Sequence, residues 1–166
     1  RGSRQDRALP AQEIEQRQQR QAEDGEKVAV GGPEELCASG FDLIGAAAEQ
    51  LIALDASWVM LGSGERHYED LWRALAARHP DRVSATIGFD ERLAHLIEAG
   101  ADMFLMPSRF EPCGLIQLYS LRYGTIPLVP ATGGLEDTVT DAAQPGGNGI
   151  KFAEPSPGAL AAAVSR

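Results

Sequence analysis

The sequence predicts an α/β fold, a three-layer Rossmann-like domain with a mostly parallel sheet. Short apolar runs alternate with segments of helical periodicity along most of the chain. Residues Asp102–Pro130 contain an apolar run, a helical segment that stops at Gly124 and a second apolar run. This is the pattern of a strand–helix–strand unit with parallel strands. Polar or glycine-rich corners follow the apolar runs, at the carboxyl ends of strands where such sheets bind ligands.

Each predicted strand is a short apolar run bounded by glycine, proline or polar residues. The strands are Lys27–Val30, Ser57–Leu61, Val83–Ile87, Asp102–Met106, Ile126–Pro130 and Ile150–Phe152. The helices are Phe41–Leu51, Tyr68–Ala77, Arg92–Ala99, Leu115–Arg122 and Pro157–Val164. In the third helix, Asp90 is the predicted N-cap. Leu93, Leu96 and Ile97 of that helix are predicted to face inward.

Composition separates a polar segment from the rest of the 166 residues. Residues 1–26 are rich in Gln, Arg and Glu, and their only aliphatic residues larger than Ala are Leu9 and Ile14. Such a segment buries too little apolar surface to offset the entropy of ordering. We therefore predict a disordered tail over residues 1–26, or at most a solvated helix over Ala11–Glu23. Residues 27–166 form the predicted domain.

The charge of the chain argues against nucleic acid or an anionic membrane as a partner. The net charge is −9, and the residues after position 30 hold 9 basic and 18 acidic groups. A phosphate ligand would therefore need local binding groups, because the overall field repels it. No apolar run approaches the roughly 20 residues of a membrane helix.

Cysteine and histidine spacing predicts neither a disulfide framework nor a metal site, and no cofactor is expected. No signal-peptide pattern is present. The chain begins with Arg1, so we expect a fragment or a processed product. The expected location is the cytoplasm, or the plastid stroma if a transit peptide has been removed.

The corner after the fourth strand reads Glu111-Pro112-Cys113-Gly114. If a helix begins here, the amides of Cys113, Gly114 and Leu115 are free at its N-terminus, which is an anion site suited to a diphosphate. Glu111 then lies where its carboxylate can reach sugar hydroxyls. The alternative is that Glu111 only caps the helix, because an acidic residue before a first turn offsets the helix dipole without any ligand.

A second corner follows the fifth strand and reads Thr132-Gly133-Gly134. Two glycines allow a tight turn and a close approach to phosphate oxygens. The alternative is an ordinary strand-to-helix turn.

Two further side chains are candidates at the same edge of the sheet. Phe89, after the third strand, could stack on a base, or it could be a core aromatic at a strand end. Arg109 could pair with Glu111 or with a phosphate, or it could be a plain surface residue.

The string SRFEPCGLIQLYSLRYGTIPLVPATGGLEDTV, which begins at Ser108, resembles the signature of bacterial glycogen synthases and plant starch synthases. These are retaining glucosyltransferases of the GT-B architecture, in which two Rossmann-like domains face each other across a cleft. The resemblance extends more loosely from Gly40 to Ala163 and covers the C-terminal, nucleotide-sugar-binding half of that fold. It implies transfer of glucose from ADP-glucose to the non-reducing end of an α-1,4-glucan acceptor.

The resemblance also implies roles for the candidate residues. Glu111 is the first acid of a Glu-x7-Glu element that contacts the donor sugar, and Tyr119 occupies the second position, as in the glycogen and starch synthase branch. The Thr132–Gly134 loop lies beside the phosphates and sugar, and Phe89 lies near the base. Together with Glu-Pro-Cys-Gly-Leu, Gln117 and Tyr119 favour this branch over UDP-sugar or sucrose-type transferases.

The sequence departs from the family where an Arg and a Lys are expected to neutralise the donor diphosphate. Glu34 and Ser39 occupy those positions, and no other Lys or Arg lies between Val28 and Trp58. Such charge stabilisation is usually the largest catalytic contribution. The family's N-terminal domain, which binds the acceptor, is not matched. We therefore expect the isolated chain to be inactive. The alternative is a non-catalytic nucleotide-binding or degenerate module of the same fold.

Overall fold

The computed structural model describes residues 26–30, 44–45, 47–48, 50–154 and 156–166, the first range by its backbone alone. Residues 1–25 of the predicted tail, Glu34, Cys37 and Ser39 lie outside these residues, whereas Glu26, the last residue of that tail, begins the first strand. The strands are β1 Glu26–Val30, β2 Ala56–Gly62, β3 Val83–Ile87, β4 Met103–Leu105, β5 Ile126–Pro130 and β6 Ile150–Phe152. The helices are α1 Arg66–Arg78, α2 Glu91–Gly100, α3 Ile116–Tyr123, α4 Gly133–Thr138 and α5 Pro157–Val164. Helical backbone also precedes β2 at the described positions between 44 and 52.

The six strands form one parallel sheet in the order β3-β2-β1-β4-β5-β6. The chain proceeds outward from β1 to β3, returns to the other side of β1, and proceeds outward again from β4 to β6. The connections therefore reverse direction between β1 and β4, which is the switch point where doubly wound sheets bind ligands. The predicted α/β class and parallel sheet are confirmed.

Alternating side chains cover both faces of the sheet and make two cores, as expected for strands buried on both sides. From β2, Trp58 and Met60 join the first core, whereas Val59 and Leu61 pack against the second. The first core also contains residues of α1, of α5 and of the helical segment before β2. The second core contains residues of α2 and α4. Helices on both faces give the predicted three layers.

Helix α2 begins where the sequence predicts and buries part of the predicted face. The Asp90 side chain accepts a hydrogen bond from the Leu93 amide at 2.9 Å, so the predicted N-cap is confirmed. Leu93 and Ile97 are buried, but the prediction for Leu96 is wrong, because its side chain is 39% exposed. At 100° per residue, Leu96 lies about 60° from Leu93 around the helix axis in one direction, and Ile97 lies about 40° from Leu93 in the other. The side of Ile97 is the one that packs on the sheet.

In helix α3, the apolar residues whose spacing predicts the helix lie on its exposed side. Leu115, Leu118 and Tyr119 are exposed, and the buried side chains of the helix are those of Gln117 and Ser120. The buried face is therefore polar at these two positions, and the Gln117 side chain donates there to backbone carbonyls of the preceding turn. None of the helices in the described ranges is both long and apolar enough to cross a membrane.

Candidate functional site

The corners after β4 and β5 lie against each other at the carboxyl edge of the sheet, next to the switch point. The Gly134 amide donates a hydrogen bond to the Glu111 carbonyl oxygen at 2.8 Å. A Cβ atom at Gly133 would overlap that same carbonyl oxygen, and one at Gly134 would overlap the backbone of Cys113. Glycine is therefore required at both positions, and the two predicted corners form one structural unit.

Glu111 is a buried acid, with a side chain only 3% exposed. Its Oε1 accepts a hydrogen bond from the Gly114 amide at 3.0 Å. Burying a carboxylate is unfavourable unless it is hydrogen-bonded, and this contact stabilises the tight turn from Glu111 to Gly114. Gly114 has a φ of +67°, in the left-handed region that favours glycine.

The prediction that Cys113, Gly114 and Leu115 form the first amides of a helix is wrong. The positive φ of Gly114 turns the chain once more, so α3 begins only at Ile116, with Leu115 as its N-cap. The Gly114 amide is not free, because Glu111 accepts its hydrogen bond. Glu111 thus caps the turn rather than the helix, and the contact of its carboxylate with a sugar stays a prediction. Cys113 is an exposed free thiol, and Leu115 is exposed.

The Thr132–Gly134 corner is the beginning of the short helix α4, where the sequence predicts a loop. Thr132 is the N-cap residue, and Gly133 opens the helix with a φ of +49°. The corner is therefore a strand-to-helix turn, and its contact with a phosphate stays a prediction. It is also half of the unit that contains Glu111.

Phe89 lies on the surface at the carboxyl end of β3. Its side chain is 88% exposed, so the alternative that it belongs to the core is wrong. Three strand spacings of about 4.8 Å separate β3 from β4, which puts these strand ends about 14 Å apart. Phe89 and the Glu111 unit are therefore at one edge of the sheet but are not neighbours. Arg109 is exposed, close to Glu111 in the chain.

Two residues at this edge were not identified as site residues from the sequence. Phe110 is exposed, and its ring is 3.5 Å from the position that a Cβ at Gly133 would take. Gln117 is fully buried and donates hydrogen bonds to the first corner and to Thr138, whose hydroxyl in turn donates to the Gly134 carbonyl oxygen. The sequence feature that could have identified Gln117 is its spacing of three from Ser120, which puts two polar residues on one face of the helix.

The carboxyl groups with shifted pKa values lie at the opposite edge of the sheet. Burial raises the pKa of Glu98, in the last turn of α2, to about 7. Hydrogen bonds from Arg166, Lys151 and Ala143 hold the pKa of Asp141 well below its usual range. Within the described residues, no cluster of His, Cys, Asp or Glu has the geometry of a metal site.

The sheet order, the switch point and the two glycine-rich corners define a Rossmann-like domain of the kind that binds nucleotides. A family model described as glycosyl transferases group 1 matches residues 13–166. The chain belongs to this family.

Relatives of known name are similar to the chain over most of its length. Glycogen synthase from Anaeromyxobacter dehalogenans strain 2CP-C is 59% identical over 128 residues, and glycogen synthase from Aromatoleum aromaticum is 54% identical over 132. Each match covers 76% of this chain and 27% of the relative. The chain thus spans about a quarter of the length of these glycogen synthases.

The fold is also similar to solved glycosyltransferases. The catalytic domain of starch synthase IV from Arabidopsis thaliana, bound to ADP and acarbose, superposes with a TM-score of 0.77 and 28% identity. That match covers 92% of this chain and 34% of the other. Sucrose-phosphate synthase from Thermosynechococcus elongatus shares the fold, with a TM-score of 0.67 and 22% identity, over 86% of this chain and 36% of the other. The predicted resemblance to GT-B glycogen and starch synthases is confirmed.

Proposed function

We propose that this chain supplies the donor-binding half of a glycogen or starch synthase. In that role, the carboxyl edge of the sheet binds ADP-glucose. The longer protein transfers the glucosyl group to the non-reducing end of an α-1,4-glucan, with retention of configuration. Support comes from the glycogen synthase relatives and from the starch synthase structure, whose bound ligands include ADP.

The contact between Glu111 and the glycine corner is the observation that carries this proposal. Through its carboxylate and its carbonyl, Glu111 is hydrogen-bonded to both corners next to the switch point. A buried acid whose hydrogen bonds join two corners at the carboxyl edge of the sheet suits a ligand with both hydroxyl and phosphate groups.

In the proposed complex, the parts of the donor bind along the edge in order. The carboxylate of Glu111 accepts hydrogen bonds from the glucose hydroxyls. The diphosphate lies along the backbone of Cys113–Leu115 and Thr132–Gly134. The exposed ring of Phe89 stacks on the adenine, and Arg109 contributes positive charge.

The acceptor glucan and a second domain are the proposed partners. Orienting an acceptor against a donor requires groups on both sides of a cleft, and the chain spans about a quarter of its glycogen synthase relatives. We therefore propose that this chain alone binds the donor but transfers no glucose, and that transfer requires the facing domain.

The second candidate function is that of a non-catalytic module that keeps the fold. The observation that favours it is the presence of Glu34 and Ser39 where the family resemblance expects Arg and Lys. Without a cation beside the leaving phosphate, the chemical step would lose on the order of 100-fold in rate or more.

Calorimetric titration with ADP-glucose and with ADP tests the proposal. Glu111→Gln should weaken ADP-glucose binding about 10- to 100-fold, because a hydrogen bond to a charged group contributes about 1.5–3 kcal/mol. ADP lacks the sugar, so its affinity should change about 2-fold or less. A glutamine at 111 can still accept from the Gly114 amide, so the turn is preserved.

Glu98→Gln is the matched control, because Glu98 is also a buried glutamate but lies at the opposite edge. It should leave both affinities unchanged. Equal losses for ADP and ADP-glucose in Glu111→Gln would contradict the proposed sugar contact. Normal binding combined with no transfer, even with the facing domain present, would favour the non-catalytic module.

A further inference from the structure

Gln117 connects the two corners from inside the protein. Its side chain is 0% exposed. Its Nε2 lies 3.0 Å from the Cys113 carbonyl oxygen, 2.7 Å from that of Gly114 and 3.1 Å from Thr138 Oγ1. Cys113 and Gly114 belong to the first corner, and Thr138 is the last residue of the helix that begins at the second corner.

We propose that Gln117 is a positioning residue that holds these two corners at a fixed separation, with Thr138 as its partner. The inference rests on the proposed function in one respect, namely that the corners it positions bind the donor. Gln117 itself is enclosed by protein and does not contact the ligand in this proposal.

The direction of the hydrogen bonds makes the connection specific. Thr138 Oγ1 donates to the Gly134 carbonyl oxygen at 2.6 Å, so the same oxygen accepts from Gln117 Nε2. The two hydrogens of the Gln117 amide are thus shared among three acceptors, two in the first corner and one on Thr138, which connects to the second corner through Gly134. A side chain without donors cannot make this connection.

The packing leaves little freedom for the corners to separate or slide. A Cβ atom at Gly114 would overlap the Gln117 carboxamide, and one at Gly134 would overlap the Cys113 backbone. A movement of Gln117 would therefore displace the turn that contains Glu111, and with it the Glu111 carbonyl that accepts from Gly134.

The contacts of Gln117 are made by its donor nitrogen and not by its acceptor oxygen. Its Oε1 is buried and has no hydrogen-bond partner among the described residues. An apolar side chain of similar size would remove that unpaired acceptor, but it would also leave the Cys113 and Gly114 carbonyl oxygens without the Nε2 donor. The role assigned to glutamine here therefore depends on its Nε2 contacts.

The test compares four variants of the whole chain. Gln117→Met keeps the length of the side chain but removes the donor, and Thr138→Val removes the hydroxyl group that connects Gln117 to Gly134. Thr138→Ser retains that hydroxyl. Ser120→Ala is the matched control, because Ser120 shares the buried face of α3 and its Oγ has no partner among the described residues.

Hydrogen exchange of the Gly134 amide, followed by NMR without ligand, is the first readout. Gln117→Met and Thr138→Val should each accelerate this exchange about 10-fold or more relative to sheet amides such as that of Leu128. Thr138→Ser and Ser120→Ala should exchange as the wild type does. Exchange that accelerates equally at Gly134 and Leu128 would overturn the inference, because it would show only a general loss of stability.

ADP-glucose titration of the same variants separates this inference from the proposed function. If the wild type binds, Gln117→Met and Thr138→Val should lose about 10-fold in affinity, and unchanged affinity would overturn the positioning role. If the wild type does not bind, the proposed function fails, and the exchange data alone decide whether Gln117 holds the corners. Either Gln117→Met or Thr138→Val is sufficient for the test if the other does not fold.

Discussion

The Glu111 carbonyl oxygen accepts a hydrogen bond from the Gly134 amide at 2.8 Å. This bond connects residues 23 positions apart, from the corners that follow β4 and β5. The bond lies next to the switch point of the sheet. Because a Cβ at position 133 would overlap the Glu111 carbonyl oxygen and one at 134 the Cys113 backbone, the geometry of this edge depends on glycine at both positions.

Gly133→Ala tests that dependence. Gly133 has a φ of +49°, and a Cβ there would overlap the Glu111 carbonyl oxygen. We expect the free energy of unfolding to fall by about 1–3 kcal/mol, measured by chemical denaturation. Gly158→Ala is the control, because open space surrounds Gly158 at the start of α5. That variant should be unchanged or up to about 1 kcal/mol more stable. Similar losses in both variants would contradict the assigned contact.

Phe89→Ala should separate binding from stability. Since the ring is 88% exposed, its removal should change the free energy of unfolding by about 0.5 kcal/mol or less. If it stacks on adenine, ADP affinity should fall about 5- to 100-fold, because base stacking on an aromatic contributes about 1–3 kcal/mol. Calorimetry measures the affinity. Tyr123→Ala, an exposed aromatic on α3, should not affect it, and an unchanged affinity in Phe89→Ala would exclude stacking.

Because of Glu98, the free energy of unfolding should fall as the pH rises. Burial raises its pKa from 4.5 to about 7, so the folded chain retains a proton that the unfolded chain releases. Below about pH 4.5 both states are protonated and burial has no charge cost. Between pH 4.5 and 7 the free energy of unfolding contributed by this group declines, and above 7 the loss is complete.

Glu98→Gln should remove that dependence. The neutral amide has no charge to bury, so the variant should be about 1–3 kcal/mol more stable than the wild type at pH 8, with a smaller difference at pH 5. Denaturation midpoints at the two pH values measure the effect. His95 Nδ1 lies 3.8 Å from Glu98 Oε2. His95→Gln at the same pH values is therefore the companion variant. A difference that is equal at both pH values would contradict the assignment.

The parts of the fold that depend on local pattern could be predicted from the sequence. The bounds of β3 and β5 were predicted to the residue, because glycine, proline and polar residues bound short apolar runs. The Asp90 cap was also predicted, since capping depends on neighbours within one turn.

The parts that depend on tertiary contacts could not be predicted. The spacing of Leu118 and Tyr119 indicates a helix but not which face it buries, and the buried face belongs to Gln117. The late start of α3 follows from the positive φ of Gly114, which the sequence permits but does not require. The contact between Glu111 and Gly134 joins two separate βα corners, so each corner was identified as a candidate but their hydrogen bond was not.

Titration of the wild-type chain with ADP-glucose is the decisive test of whether this chain holds the donor of a glycogen or starch synthase. We expect saturable binding with one site per chain, and a weaker affinity when Glu111 is replaced by glutamine. No heat of binding from a folded chain would contradict it. The edge that contains Glu111, Gly133 and Gly134 would then keep the fold of a glycosyltransferase without holding its donor.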